Sequence, residues 1–188
     1  MITPEERDAQ PGISAVLTWR DDLDGTILDL AAVLSGLVGQ NFEIILVAAS
    51  ETANVADLRA RAPGLSLQLI SHGACDAARF DLLLISAEDG KFDVRELNRL
   101  MEAIDKGADL AAGYRPGRVD GLVRGLSRWG LPFEVDYAFQ LIRRGVCIEL
   151  GAPSVARARR SGYRVAEVPV SDRRPTLGAP VSAETRAA

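Results

Sequence analysis

Short blocks of consecutive apolar residues alternate along this chain with longer stretches in which apolar residues recur every three or four positions. Ile13 to Leu17, Glu43-Ile-Ile-Leu-Val-Ala48 and Leu82 to Ile85 are blocks of the first kind and predict buried strands. Leu65 to Ile70 alternates and predicts a further strand. Leu23, Ile27, Leu30, Leu34 and Leu37 fall on one face of an amphipathic helix that Gly39 stops, and Ala53 to Ala62 predicts a second helix ending at Pro63-Gly64. Asp93 is a good N-cap with Glu96 three residues on, the spacing of a capping box. Val94, Leu97, Leu100, Met101 and Ile104 line one face of the helix that follows, Gly107 closes it, and Asp109 to Gly113 is another short strand. Strand–helix alternation from 13 to 113 predicts parallel βαβ units: an α/β domain with a mostly parallel central sheet flanked by helices.

The second half has a different pattern. Val119, Leu122, Val123, Leu126 and Trp129 share one helical face, with Arg124 and Arg128 on the other. A packed helix with a solvated back is the ordinary reading, and a helix resting on a membrane surface is the alternative. Residues 137–148 are apolar around Arg143-Arg144, and 153–161 predicts a short basic helix ended by Gly162. Tyr163 to Val170 alternates like a half-buried strand, and its Pro169 points to a sheet edge or a strand end. Residues 1–12 read as a flexible leader and 171–188 as a flexible tail rich in Pro, Gly, Ala and charge, leaving one domain over 13–170.

A length of 188 residues, 47% hydrophobic and 26% charged, suffices for one well-cored domain. The net charge of −4 gives no pull toward nucleic acid. Charges occupy the start of the chain where a signal peptide needs an apolar core, and no apolar run approaches the roughly 20 residues that span a bilayer. Cys75 and Cys147 stand far apart with no C-x-x-C pattern, which reads as two free thiols in a reducing cytoplasm. His72 is the one histidine, which argues against a histidine-based zinc site and makes it the one residue that could serve as a histidine general base; its neighbours Ser71 and Gly73 predict a solvated loop.

The candidate chemistry gathers around Arg79-Phe-Asp-Leu-Leu-Leu-Ile-Ser-Ala-Glu-Asp-Gly90, where a buried strand gives way to carboxylates at its carboxyl end. Open α/β sheets place their ligands there. A dinucleotide fold would need Gly-x-Gly-x-x-Gly directly after the first strand, and residues 18–26 do not supply it. Asp22-Leu-Asp-Gly-Thr-Ile-Leu-Asp29 resembles the loop of haloacid-dehalogenase-like phosphatases, with Asp22 as nucleophile, Asp24 as general acid and Asp89-Gly-Lys-Phe-Asp93 as a later magnesium motif. That nucleophile directly follows its strand, whereas Thr18 to Asp21 intervene here, and the helical pattern already runs through Leu23 and Ile27.

A broader resemblance covers about 13–182. Ile13-Ser-Ala-Val-Leu-Thr-Trp-Arg-Asp21 resembles the opening strand and turn of family-2 glycosyltransferases, and Phe42-Glu-Ile-Ile-Leu-Val-Ala-Ala-Ser50 their second strand. Asp81-Leu-Leu-Leu-Ile-Ser-Ala-Glu88 falls at their Asp-x-Asp strand, and Ala103 to Arg115 continues in register. Gly162-Tyr-Arg-Val-Ala-Glu-Val-Pro-Val170 is similar to the closing strand of polyprenol-phosphate sugar synthases. The resemblance implies a GT-A-like single domain, with a nucleotide-sugar-binding half at 13–115 and an acceptor half at 116–170. It also implies a nucleotide-sugar donor, an acceptor of open identity in which lipid-linked ones are included, and magnesium or manganese.

Carried over by position, the resemblance assigns Thr18, Trp19 and Asp21 to the nucleoside, and Ser86, Glu88 and Asp89 to the sugar-nucleotide diphosphate, with Glu88 as metal ligand. Glu134 or Asp136 is the general base on the acceptor hydroxyl, and Arg173 and Arg174 are phosphate contacts. The departures are as informative. Ala48 and Ala49 replace an acidic pair that helps bind the nucleotide, and Ser86-Ala87-Glu88 replaces Asp-x-Asp. Two classes of function therefore stand: a cytoplasmic glycosyltransferase, with contact to the membrane surface left open, or a glycosyltransferase-like protein without turnover that binds a ligand or partner.

Overall fold

The computed structural model describes residues 10–19, 24–48, 59–60, 63–86, 93–114, 137–151 and 154–171. Strand β1 (Gln10–Thr18) carries the apolar block Ile13–Leu17 at its centre and begins three residues before it, so the leader expected over 1–12 already joins the sheet at Gln10. Gly12 is required there: its φ is +154°, and a Cβ would run into the Asn41 carbonyl oxygen and the Phe80 ring. Helix α1 (Asp24–Val38) returns along one face of the sheet to β2 (Phe42–Val47). Strand β3 (Leu67–Ile70), the short helix α2 (Ala74–Ala77) and β4 (Phe80–Ser86) follow. Of the helix expected over 53–62, only residues 59 and 60 are described, and both are helical.

Asp93 caps the next element as its spacing suggests, its carboxylate accepting from the Arg95 N–H at 3.0 Å. A 3-10 turn (Val94–Glu96) leads into helix α3 (Leu97–Asp105), which buries Leu97, Leu100 and Ile104. Glu96 pairs with Arg99 at 3.0 Å. Strand β5 (Leu110–Tyr114) ends the first half; then come β6 (Tyr137–Arg143), helix α4 (Arg144–Leu150), helix α5 (Val155–Arg160) and β7 (Val165–Pro169). The helix expected around Val119–Trp129 lies outside the described residues.

The strands form one seven-stranded sheet in the order β3-β2-β1-β4-β6-β5-β7. β1 to β4 are mutually parallel, β7 is parallel to β5, and only β6 runs the other way, between β4 and β5. The mostly parallel α/β sheet flanked by helices is therefore observed. Its adjacency differs from a simple run of βαβ units, because β6 separates β5 from β4. Residues 137–143 carry no turn signal that betrays this; their place is decided by pairing with Leu82–Ser86, more than fifty positions away. Pro169 ends β7, an edge strand, as its missing N–H suggests.

The two faces are covered separately. Ile13, Ala15 and Leu17 of β1, Ile44 and Leu46 of β2 and Phe139 and Leu141 of β6 pack against Ile27, Leu30 and Leu34 of α1 and Leu97 and Leu100 of α3. Val16, Ile45, Leu83, Leu110 and Ile142 pack the other way, against Val146 and Leu150 of α4 and Val155 and Ala158 of α5. Strand residues buried alternately on two faces explain why the sequence shows continuous apolar blocks.

The reading of two free thiols is corrected. Cys75 on α2 and Cys147 on α4 form a disulfide, with their Cα atoms 5.9 Å apart. Both helices lie on the same sheet face, and the Arg144 side chain joins them again by donating to the carbonyls of Cys75 (3.2 Å) and Asp76 (3.4 Å). A separation of 72 residues concealed the contact from any local pattern. The argument from free thiols to a reducing compartment falls with it.

Candidate functional site

Six strands deliver their carboxyl ends to one edge of the sheet, and β6 begins there. Backbone bonds carry the order of the sheet past the strands themselves. Thr18 lies opposite Val47, which lies opposite Ile70. One residue further on, the Trp19 N–H donates to the Val47 carbonyl at 2.7 Å and the Ala48 N–H to the Ile70 carbonyl at 2.9 Å. Trp19, Ala48 and Ser71 are thus set side by side. Thr18 is exposed, Trp19 is half-buried against the core under α1, and Ala48 is 6% exposed. Beyond them Ser71 and His72 are exposed, with Ser71 Oγ 2.8 Å from His72 Nδ1. His72 does lie on a bend, as expected for a loop histidine.

Ser86 is the last residue of β4 and lies opposite Phe139 of β6. The chain after β7 comes back to the same region: the Asp93 N–H donates to the Ser171 carbonyl at 3.4 Å, and the Val170 N–H to the Tyr114 carbonyl at 2.8 Å. Of the residues assigned from sequence, Thr18 ends β1, Trp19 directly follows it and Ser86 ends β4, all at the carboxyl edge of the sheet. Asp21, Glu88, Asp89, Glu134, Asp136, Arg173 and Arg174 lie outside the described residues. Sequence alone places Glu88 two residues beyond Ser86, Asp136 immediately before Tyr137, and Arg173 two residues beyond Ser171.

The phosphatase motif finds no matching frame. Three residues separate Asp22 from the end of β1, and Asp24 is the first residue of α1. Among the described residues no group of three or more His, Cys, Asp and Glu side chains could hold a metal ion. The donor set that β4 hands to the site consists of the Ser86 hydroxyl and, in sequence, the carboxylates of Glu88 and Asp89. That set fits a magnesium-type ion carried mainly by a diphosphate and water, which needs only one or two protein carboxylates.

Two polar clusters were missed by the sequence reading. In the first, Tyr137 donates to Glu167 Oε1 at 2.8 Å, and Arg159 of α5 pairs with the same oxygen at 3.1 Å. This half-buried trio fixes the first residue of β6 to β7 and α5. In the second, fully buried Glu43 accepts from the Ser14 hydroxyl (2.6 Å), the Arg79 N–H (2.7 Å) and Gln68 Nε2 (3.1 Å). Polar residues inside otherwise apolar strands, Ser14 and Glu43, were the only signal for it.

This strand order and edge define a GT-A-like fold of the nucleotide-diphospho-sugar transferases. The structure is similar to 4-diphosphocytidyl-2C-methyl-D-erythritol synthase from Anaerococcus prevotii, with a TM-score of 0.58, 13% identity, and 86% of this chain and 90% of that one covered. It is similar to glucosyl-3-phosphoglycerate synthase from Mycobacterium tuberculosis, in complex with Mn2+, uridine diphosphate and phosphoglyceric acid, with a TM-score of 0.57, 16% identity, and 89% and 72% covered. Mannosyl-3-phosphoglycerate synthase from Rubrobacter xylanophilus gives a TM-score of 0.57 at 18% identity, with 85% and 65% covered. At such identities the likeness establishes the fold. No protein-family model matches the chain, and no curated protein matches it in sequence.

Proposed function

We propose that this protein is a GT-A-type glycosyltransferase that moves a sugar from a nucleotide-diphosphate donor to an acceptor hydroxyl or phosphate. The observation that carries the reading is the alignment of Thr18, Trp19, Ala48 and Ser86 along the carboxyl edge of the parallel strands. The half-buried Trp19 offers an aromatic face on which a nucleobase stacks, a contact worth about 1–3 kcal/mol. Thr18 and Asp21 flank it and contact the nucleoside. Ser86, Glu88 and Asp89 meet the diphosphate, and Arg173 and Arg174 supply planar donors for phosphate oxygens.

A divalent ion, magnesium or manganese, would be held by Glu88 and would neutralise charge on the departing diphosphate. The mannosyl- and glucosyl-3-phosphoglycerate synthases share this fold, and the structure of the latter contains Mn2+. Glu134 or Asp136 takes the proton from the acceptor hydroxyl. The freed oxygen attacks the anomeric carbon while the carbon–oxygen bond to the diphosphate breaks, and the nucleoside diphosphate leaves. The likeness of Gly162–Val170 to the closing strand of polyprenol-phosphate sugar synthases makes a lipid-linked phosphate the first acceptor to try. Among the described residues no helix is long and apolar enough to cross a membrane.

Buried Ala48 favours one alternative, a GT-A-like protein that binds a nucleotide or partner without turnover. An alanine side chain at this position gives no acceptor for a base or ribose. Release of nucleoside diphosphate from nucleotide sugars, with manganese and a panel of acceptors, separates the two. Release that Glu134→Gln or Asp136→Asn lowers at least 100-fold supports the enzyme. Nucleotide binding with no release from any donor supports the alternative.

A further inference from the structure

Residues 71–79 carry the chain from the end of β3, at one edge of the sheet, back across β2 and β1 to the start of β4. Backbone bonds pin both ends of this crossing. The Ile70 carbonyl accepts from the Ala48 N–H at 2.9 Å, and the Arg79 N–H donates to buried Glu43 at 2.7 Å. Between the pins the hold is different. Residues 71–73 and 76 are exposed, 74, 75 and 77 are half-buried, and α2 buries no residue. Ser71-His-Gly-Ala-Cys-Asp-Ala77 carries mostly small side chains, so little apolar surface fastens it down. Its one helical turn is closed by its own bonds: the Asp76 and Ala77 N–H groups donate to the Gly73 carbonyl at 3.1 and 3.0 Å, and the Ala78 N–H to the Ala74 carbonyl at 3.1 Å. A single turn of helix does not stand alone in water. Helix α4 ties it to the rest of the molecule, through the Arg144 bonds to the Cys75 and Asp76 carbonyls and through the Cys75–Cys147 disulfide.

We propose that this disulfide is a redox-sensitive latch, whose reduction by a dithiol frees residues 71–77 to open while the sheet stays folded. The two sulfurs differ in access, because Cys147 is fully buried and Cys75 is half-buried on a surface turn. A thiolate of the reductant attacks Cys75 Sγ, the S–S bond breaks, and Cys147 Sγ leaves as a thiolate that takes up a proton. The reductant's second thiol loses its proton and displaces Cys75 Sγ, which is protonated in turn. The dithiol ends as a disulfide, and two electrons have reduced the chain to two thiols. Without the covalent tie, Arg144 holds the turn by two long bonds, at 3.2 and 3.4 Å, the second of them exposed. Gly73, at φ +75°, supplies a hinge on the β3 side. Opening solvates backbone groups and small side chains, and so costs far less than unfolding the strands. The latch is independent of the nucleotide reading above.

The test is native-state hydrogen exchange of the full chain at the Asp76, Ala77 and Ala78 amides, with the disulfide intact and after reduction by dithiothreitol. It is repeated over urea concentrations below the unfolding transition. Reduction should speed these three amides about tenfold or more and leave their exchange independent of urea, the mark of a local opening that exposes little surface. The Leu83 and Leu84 amides of β4 should keep a steep urea dependence, and circular dichroism should show the sheet retained. Reoxidation should restore protection. The chain carrying Cys75→Ala and Cys147→Ala should exchange like the reduced protein and ignore dithiothreitol. Unchanged protection after reduction would overturn the latch, as would three amides that share the urea slope of β4, because reduction would then act through global stability alone. Two titratable free thiols in the air-oxidised protein would also overturn it. So would Arg144→Ala, if it opens the turn as far as reduction does while the disulfide is intact.

Discussion

The two ends of the sheet use polar residues in opposite ways. At the amino ends of the strands three carboxylates have internal partners. Glu43 is satisfied by Ser14, Gln68 and Arg79, and Asp81 accepts from the Gly12 N–H at 2.9 Å. Asp109 takes the Arg164 N–H at 2.8 Å and lies within 3.9 Å of the Arg143 and Arg164 guanidinium groups. At the carboxyl ends the described row offers a tryptophan, a buried alanine, a Ser–His pair and a serine. A carboxylate consumed by its own fold is unavailable to a ligand. The difference teaches that carboxylates at the amino end hold the sheet together, while the carboxyl end is where the proposed function places a ligand.

That contrast separates variants that change stability from variants that change binding. The largest expected effect is at the amino end, where Arg144 and the Cys75–Cys147 disulfide join α2 to α4. Closing a 72-residue loop stabilises by about 4 kcal/mol in the chain-entropy account. Reduction, or Cys75→Ala with Cys147→Ala, should therefore lower Tm by roughly 10 °C, measured by scanning calorimetry with and without dithiothreitol. Glu43→Ala comes next. It strands the Ser14 hydroxyl and the Arg79 N–H in a buried site and should cost about 3 kcal/mol, read from denaturant unfolding. In both cases nucleotide affinity, measured below the transition, should stay within twofold.

At the carboxyl end the order reverses. Trp19→Ala should weaken nucleotide binding by about tenfold, in line with the loss of one base–aromatic stack, and lower stability only slightly. A Trp19→Ala chain that melts far lower but binds as before would make this tryptophan a core residue and blur the comparison. Asp93→Ala has the smallest expected effect. It removes a cap at the ligand end and should cost about 1 kcal/mol in thermal unfolding, with no change in nucleotide affinity.

Much of the architecture was legible because it is written locally. The apolar blocks at Ile13–Leu17 and Leu82–Ile85, the three- and four-residue steps of α1, and the Asp93 cap each report their own structure. What was not legible depends on distant pairing. The antiparallel insertion of β6 between β4 and β5 is decided by contacts between Tyr137–Arg143 and two strands far away in sequence. The disulfide joins helices 72 residues apart, and no spacing rule links an isolated Cys75 to an isolated Cys147. Thr18, Trp19 and Ser86 were legible as strand-end positions, because the apolar blocks stop there. The roles of Glu88, Glu134 and Asp136 still rest on resemblance, because sequence pattern fixes where a strand stops and not what the following loop does. The Tyr137–Glu167–Arg159 cluster was missed for a further reason: its members sit on three elements and meet only in the folded chain.

The most direct test of the account is calorimetric titration of the full chain with nucleoside diphosphates and their sugar conjugates, with and without manganese, repeated on Glu88→Ala. The account predicts metal-dependent binding of at least one nucleotide in the natural protein and loss of the metal dependence in the variant. Absence of binding to every nucleotide at millimolar concentration, with or without metal, would contradict it.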